Sequence, residues 1–162
     1  IDMPAFQMKN TRIDEVLFAA QSELLKTHGG DYTIKINFDE MPEEELKLLV
    51  RANENLLKIA FVNLMDNACK FSAQKRAEVN IAFSEKYIIL RFSDTGIGIP
   101  DEELNKVLEP FYRASNSTQK QGHGIGLSLV KRIIEMHHGI LDIHSQVGLG
   151  TQITVSLPYS QL

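Results

Sequence analysis

Asn63-Leu-Met-Asp-Asn67-Ala-Cys-Lys70-Phe71-Ser72 combines two patterns on one helix. A helix turns about 100° per residue, so Asn63, Asn67 and Lys70, at i, i+4 and i+7, form one polar stripe. Leu57, Phe61, Leu64, Ala68 and Phe71 form an apolar stripe roughly a quarter to a third of a turn away. One flank of the helix can therefore be core while the next faces a ligand. Two amides and an ammonium so close to a core face need polar partners, because an unpartnered buried polar group is costly. A phosphate with bound Mg2+ would supply them: amide oxygens suit a hard cation, and a lysine neutralises phosphate oxygens. Taken alone, the stripe also fits an ordinary solvated helix side.

Composition narrows the classes. The chain has 162 residues, 43% hydrophobic and 23% charged, enough for one domain with a real core. The net charge of −4 argues against a nucleic-acid surface, which is normally basic. A local basic pocket is still available from Lys70, Arg113, Lys120, Lys131 and Arg132. The single cysteine, Cys69, excludes an internal disulfide and fits a reducing compartment; it falls among packing positions of the helix. No run of about 18 apolar residues predicts a membrane span, and no signal peptide is visible. The chain opens on Ile1 rather than Met, as a piece of a longer protein would.

Outward from the central stretch, periodicity places the other elements. A short strand is expected near residues 6–8. A helix capped by Asn10 or Thr11 should run to about Lys26, with Ile13, Val16, Leu17, Ala20 and Leu24 inward and Gly29-Gly30 at its end. Residues 32–38 alternate as a half-buried strand, and residues 46–50 read as a second, short one. The central helix is expected over 53–71. A hairpin follows at 78–83 and 87–93. Asp94-Thr-Gly96-Ile-Gly98-Ile99-Pro100 is a glycine-rich turn at a strand end. A short helix is expected over 101–108, then a mobile loop over 109–123, rich in Ser, Asn, Gln and Lys. Gly122-His-Gly124-Ile-Gly126 opens a helix through about residue 137 that Gly139 ends, and strands follow at 140–145 and 151–157. The expectation is one domain over 1–162, with a mixed sheet covered by helices on one face.

Three polar stretches share one plausible ligand. Asp94 at a strand end can accept a hydrogen bond from an exocyclic amine such as that of adenine, and Gly96 and Gly98 let the backbone pass close to a flat ring. The glycines at 122, 124 and 126 bring backbone N–H groups and a positive helix end to phosphate oxygens. Each stretch alone also fits a simple turn. A dinucleotide fold would need a strand directly before its glycines and an acid about 20 residues later, and a polar loop stands there instead. The P-loop pattern is absent.

Together these motifs resemble the N, G1, F and G2 boxes of sensor histidine kinases. The residues are Asn63-x-x-x-Asn67-Ala-x-Lys70-Phe71, Asp94-x-Gly96-x-Gly98-Ile99, Phe111-Tyr112-Arg113 and Gly122-x-Gly124-x-Gly126-Leu127. They come in the family's order, with His138-Gly139 and Gly148-x-Gly150-Thr151 closing the pattern. The wider superfamily includes type II topoisomerase ATPases. The resemblance implies a two-layer α/β sandwich of the Bergerat type, its mixed, mostly antiparallel sheet covered on one face by helices, with ATP beneath a mobile lid. Carried over, Asn67 is the Mg2+ ligand, and Asn63 and Lys70 contact phosphates. Phe71 flanks the nucleotide, Asp94 reads the adenine amine with help from Thr151, and Gly96, Gly98 and Ile99 form the turn beside it. Phe111 and Tyr112 anchor the lid base. Arg113 neutralises phosphate or meets the histidine-bearing domain. Gly122, Gly124, Gly126 and Leu127 form the lid-to-helix junction. His123 stands where many members have a small hydroxyl residue.

Position 63 separates the branches. Relatives that hydrolyse ATP carry Glu there as a base for water; an amide cannot accept a proton at neutral pH, and suits holding ATP intact for transfer. Asp66 points off the stripe and is either a base or, as its position favours, a surface or capping residue. The family's His-Glu/Asp-x-x-x-Pro phosphoacceptor pattern is absent, and His28, His137, His138 and His144 read as structural or exposed. The implied assignment is a catalytic ATP-binding domain with Asn63, Lys70 and Arg113 in catalysis. Its expected partners are a histidine-bearing dimerisation domain and a downstream response regulator, without nucleic acid or membrane contact. The fragment is expected to be monomeric and cytoplasmic, cut from a homodimeric parent that is either free or membrane-anchored. The competing reading is a degenerate module that binds ATP without transfer.

Overall fold

The structure is a computed structural model that describes residues 7–99 and 124–160. Its order is β1 (Lys9–Arg12), α1 (Ile13–His28), β2 (Thr33–Phe38), β3 (Leu49–Ala52), α2 (Glu54–Lys70), β4 (Arg76–Phe83), β5 (Tyr87–Ser93), α3 (Gly124–Met136), β6 (Ile140–Gln146) and β7 (Gly150–Pro158). Five strands form the main sheet in the order β2-β4-β5-β7-β6, while β1 and β3 pair separately. Only β2–β4 is parallel; the other pairs in that sheet are antiparallel. This is the two-layer sandwich with a mixed, mostly antiparallel sheet that the sequence implies.

The layers follow from residue periods. On β4, β5 and β7, alternate residues are buried: Val79 and Ile81, Leu90 and Phe92, Val155 and Leu157. They meet the apolar stripe of α2, where Leu57, Phe61, Leu64 and Ala68 are buried with Ala60, Met65 and Cys69. Phe61 lies 5.8 Å from Phe92, ring centre to ring centre. α1 packs on one side of α2 and α3 on the other. The central helix is thus covered on three sides, and its polar stripe lies beside this core.

Both ends of α2 are fixed by named groups. Asn53 caps it by accepting the Leu56 N–H at 3.0 Å. The N–H of Asn53 in turn donates to Nε2 of buried His137 at 3.1 Å, and His137 Nδ1–H reaches the Ile133 carbonyl at 2.7 Å. One neutral imidazole therefore joins the end of α3 to the start of α2. That end of α3 is a Schellman turn: His138 N–H bonds Glu135 O, and Gly139 N–H bonds Ile134 O. His138, not Gly139, takes the left-handed conformation, with φ 60°. Gly139 is needed for closeness, since a Cβ there would stand 2.7 Å from the Ser156 carbonyl.

Three local expectations need correction. The first strand lies at Lys9–Arg12, and Arg12, not Asn10 or Thr11, precedes α1. The Thr11 hydroxyl is spent on the carbonyls of Lys9 and Ala52, so it is a strand residue paired with β3. The run at 46–50 begins as a 3-10 turn (Glu45–Leu48) and becomes a strand only at Leu49. Leu46 is exposed, and the period-two burial of Leu48, Val50 and Ala52 starts after it. The expected helix over 101–108 and loop over 109–123 lie outside the described residues.

Candidate functional site

The polar flank of α2 carries Asn63, Asn67 and Lys70, all half-buried. Asn63 spends an amide N–H on the Ile59 carbonyl one turn back, at 3.0 Å, which leaves its oxygen as the group to offer a ligand. Lys70 Nζ lies 3.2 Å from Asp66 Oδ2. Asp66 is no surface residue: its side chain is 21% exposed, and it also accepts the Tyr32 hydroxyl at 2.9 Å. His28 stacks on Tyr32 at 4.0 Å, with its Nε2 3.9 Å from Asp66. Burial first, then the hydrogen bond to Asp66, pushes the Tyr32 hydroxyl well above its ordinary pKa, so it stays a donor. Asp66 thus holds the lysine at the edge of the stripe. The Asp66–Lys70 spacing was legible as an i, i+4 pair; Tyr32 and His28 arrive from distant sequence and gave no local sign. Cys69 is fully buried, and burial chiefly pushes its thiol up to about 12, as befits a packing residue rather than a nucleophile.

The second arm is the turn after β5. Asp94 Oδ1 accepts the Gly96 N–H at 2.8 Å, and the Asp94 N–H donates to the Thr151 carbonyl at 3.0 Å. Burial raises the Asp94 pKa above its ordinary value; N–H groups of Gly96 and Thr151 oppose the rise. Ile97 N–H donates to the Phe71 carbonyl at the end of α2, at 3.2 Å, and Gly148 N–H donates to the Ile97 carbonyl at 2.9 Å. Ile99 N–H donates to Ser145 Oγ at 2.7 Å. The turn is therefore clamped between α2 and the β6–β7 turn.

The glycines serve this clamp. A Cβ on Gly96 would meet the Phe71 carbonyl oxygen at 2.0 Å, and one on Gly98 the Gln146 carbonyl oxygen at 2.2 Å. Gly98 also needs its positive φ of 75°. The sequence suggests that these glycines make room for a ring, but here backbone from the protein itself fills the space.

Thr151 sits on β7 beside Asp94, and its hydroxyl lies 2.8 Å from Ser145 Oγ. A depression of about 330 Å3 at this end of the sheet is lined by Asp94, Ser145, Leu149 and Thr151, among others. Ser145 was not singled out from sequence. Its sign was present: it continues the inward register of Leu141 and Ile143 on β6 with a hydroxyl in place of an apolar side chain.

The structure joins the end of α2 at Phe71 to the turn that carries Asp94, Gly96, Gly98 and Ile99, with Thr151 beside it, through the Phe71–Ile97 contact; Asn63, Asn67 and Lys70 lie on that same helix. α3 opens at Gly124, with Gly126 buried and Leu127 packed against the core. Phe111, Tyr112, Arg113, Gly122 and His123 lie outside the described residues. Among the described residues, no group of three or more His, Cys, Asp or Glu converges as a metal site, and no helix is long and apolar enough to cross a membrane.

Comparison with known proteins identifies the family. Residues 52–161 match the family described as histidine kinase-, DNA gyrase B-, and HSP90-like ATPase. The adaptive-response sensory kinase SasA of Crocosphaera subtropica is 32% identical over 175 residues, covering 94% of this chain and 46% of that protein. The sensor histidine kinase RcsC of Escherichia coli is 30% identical over 118 residues, covering 72% of this chain and 12% of that protein. Among solved structures, the mycobacterial sensor histidine kinase MprB superposes with a TM-score of 0.77 at 25% identity, covering 94% of this chain and 97% of that one. Full-length ShkA, solved in complex with AMPPNP, has a TM-score of 0.70 at 20% identity, which speaks for the fold, over 94% of this chain and 31% of that one. The chain belongs to this ATPase family, and its relatives place it with the ATP-binding domains of sensor histidine kinases. It spans less than half the length of the curated relatives it matches.

Proposed function

We propose that this domain binds Mg-ATP between the polar flank of α2 and the Asp94 turn, and donates the γ-phosphoryl group to a histidine on another domain of a longer kinase. The observation that carries the reading is the clamp that sets the Asp94 carboxylate, through Gly96, Ile97 and Phe71, against the same helix that bears Asn63, Asn67 and Lys70. A half-buried carboxylate suits the exocyclic amine of adenine, and the helix flank suits a triphosphate.

A divalent cation fits this flank. Mg2+ typically takes one or two protein oxygens, keeping water and phosphate oxygens for the rest, and Asn67 offers an amide oxygen of that kind. When bound, the cation would neutralise phosphate charge. Lys70 brings its ammonium from Asp66, and Arg113 and the glycines at 122, 124 and 126 are proposed for the phosphate end as well, with Phe111 and Tyr112 at the base of the covering segment. Asn63 orients without taking a proton, so water at the γ-phosphate finds no base at that position. Phosphoryl transfer asks mainly for positioning and charge neutralisation, and these side chains provide both. The acceptor histidine, the response regulator that follows it and the dimer contacts are assigned to other domains or proteins.

The test is to incubate the domain with γ-labelled Mg-ATP and the separately produced histidine-bearing domain of its parent protein. Acid-labile, alkali-stable label on that domain, lost in Asn67→Ala, is the expected result. ATP binding with no label transferred, using an acceptor shown to be folded and dimeric, would leave the degenerate module as the better reading.

A further inference from the structure

Ser145 makes three hydrogen bonds with a hydroxyl that has one proton and two lone pairs. Ile99 N–H takes one lone pair at 2.7 Å. The proton goes to the Gly150 carbonyl at 3.0 Å. The remaining contact, to Thr151 Oγ1 at 2.8 Å, then has only a lone pair of Ser145 to use, so Thr151 must be the donor. The proton of Thr151 is thereby spent inside the protein. What Thr151 offers the depression is lone pairs, next to the Asp94 carboxylate, itself only an acceptor when ionised. Proton counting alone makes this end of the site a pair of acceptors.

The geometry points to Ser145 as a positioning residue that fixes the hydrogen-bond polarity of Thr151 and so selects a base with a 6-amino group over one with a 6-keto oxygen. This rests on the nucleotide reading above and deepens it. An exocyclic amine has two N–H donors and suits two acceptors; a keto oxygen faces lone pairs at both. Without the Ser145 hydroxyl, Thr151 regains a rotatable proton that it can donate to a keto oxygen. The same hydroxyl fastens the turn at Ile99, so the shape and the polarity of this end depend on one side chain. The Ser145–Thr151 contact itself involves no charged group, and the discrimination needs no contact between Ser145 and the base.

The test is calorimetric titration of the whole domain with non-hydrolysable analogues of ATP and of inosine triphosphate, which carries a 6-keto oxygen in place of the amine. Wild type, Ser145→Ala, Ser145→Cys and Ser145→Thr are compared, each with its melting temperature. The wild type should prefer the adenine analogue. The preference should shrink by about tenfold in Ser145→Ala, the worth of one rearranged hydrogen bond, and shrink also in Ser145→Cys, whose thiol is a poor acceptor and which keeps the volume should the alanine variant not fold. Ser145→Thr, which retains the hydroxyl, should keep the preference. A merely structural serine would weaken both nucleotides equally. An unchanged preference ratio in Ser145→Ala or Ser145→Cys, with wild type still preferring adenine, overturns the role of Ser145 alone. Failure of the wild type to bind either nucleotide overturns the nucleotide reading itself.

Discussion

Replacing His137 by Phe removes both hydrogen bonds that join the end of α3 to the start of α2 while roughly keeping the side-chain volume. His137 is 1% exposed. Its Nε2 accepts the Asn53 N–H at 3.1 Å, and its Nδ1–H satisfies the Ile133 carbonyl at 2.7 Å. Each buried group left without a partner costs about 1–3 kcal/mol, so the pair should cost about 2–6 kcal/mol. In a chain of this size each kcal/mol moves the melting midpoint by about 2–4 °C, which predicts a drop of about 4–24 °C. Acid should narrow that difference. Burial chiefly, and the nearby His138 in addition, lower the pKa of the ring, against the pull of the Ile133 carbonyl. The folded state therefore holds the ring neutral where the unfolded chain already takes up a proton. The stabilisation is complete above the unfolded value of 6.5. Below it, stability declines by up to about 1.4 kcal/mol per pH unit and is lost as pH falls through the depressed folded value. Urea unfolding of wild type and His137→Phe at about pH 8 and about pH 5.5 isolates the effect, because other titrations cancel in the difference. The gap should be largest at the higher pH. A gap that is the same at both, or that widens in acid, would refute the neutral-imidazole link.

Three other outcomes follow from single contacts. Gly96→Ala puts a Cβ 2.0 Å from the Phe71 carbonyl oxygen; it should destabilise the domain by roughly 1–3 kcal/mol and weaken nucleotide binding, and an unaltered melt with unaltered binding would show the turn to be independent of α2. His138→Gly relieves a left-handed residue at φ 60° and should stabilise by about 0.5–1 kcal/mol, after the entropy cost of glycine is deducted; a lower melting temperature would mean that the imidazole makes a contact worth more than the strain. Lys70→Ala should weaken an ATP analogue by about 10- to 100-fold, the scale of one charge-assisted hydrogen bond, and leave adenosine unaffected; equal losses for both would mean that Lys70 acts through the fold.

The α2 stretch was legible because both of its patterns are local. A 3.6-residue period needs no knowledge of partners, and the structure buries Leu57, Phe61, Leu64 and Ala68 on one flank as that period requires. The β4–β5 hairpin and the Asp94 turn were legible for the same reason. What escaped is decided at a distance. Asn10 and Thr11 look like caps by side-chain type, yet Thr11 is claimed by Ala52, 41 residues away. Tyr32 reaches Asp66 across 34 residues, and Ser145 reaches Ile99 across 46. Gly96 and Gly98 were singled out for a different reason, since the neighbours that demand glycine are the carbonyls of Phe71, just after α2, and of Gln146 at the end of β6. Spacing along a chain does not show which backbone will pass within contact distance.

In the proposed site one nucleotide spans the α2 flank and the Asp94 turn. Calorimetric titration with a non-hydrolysable ATP analogue, with and without Mg2+, tests it on wild type, Asn67→Ala and Asp94→Asn. The expected result is Mg2+-dependent binding to the wild type, loss of the Mg2+ dependence in Asn67→Ala, and weaker binding with or without the metal in Asp94→Asn. Absence of binding to a folded wild-type domain, or binding that neither substitution alters, would contradict it.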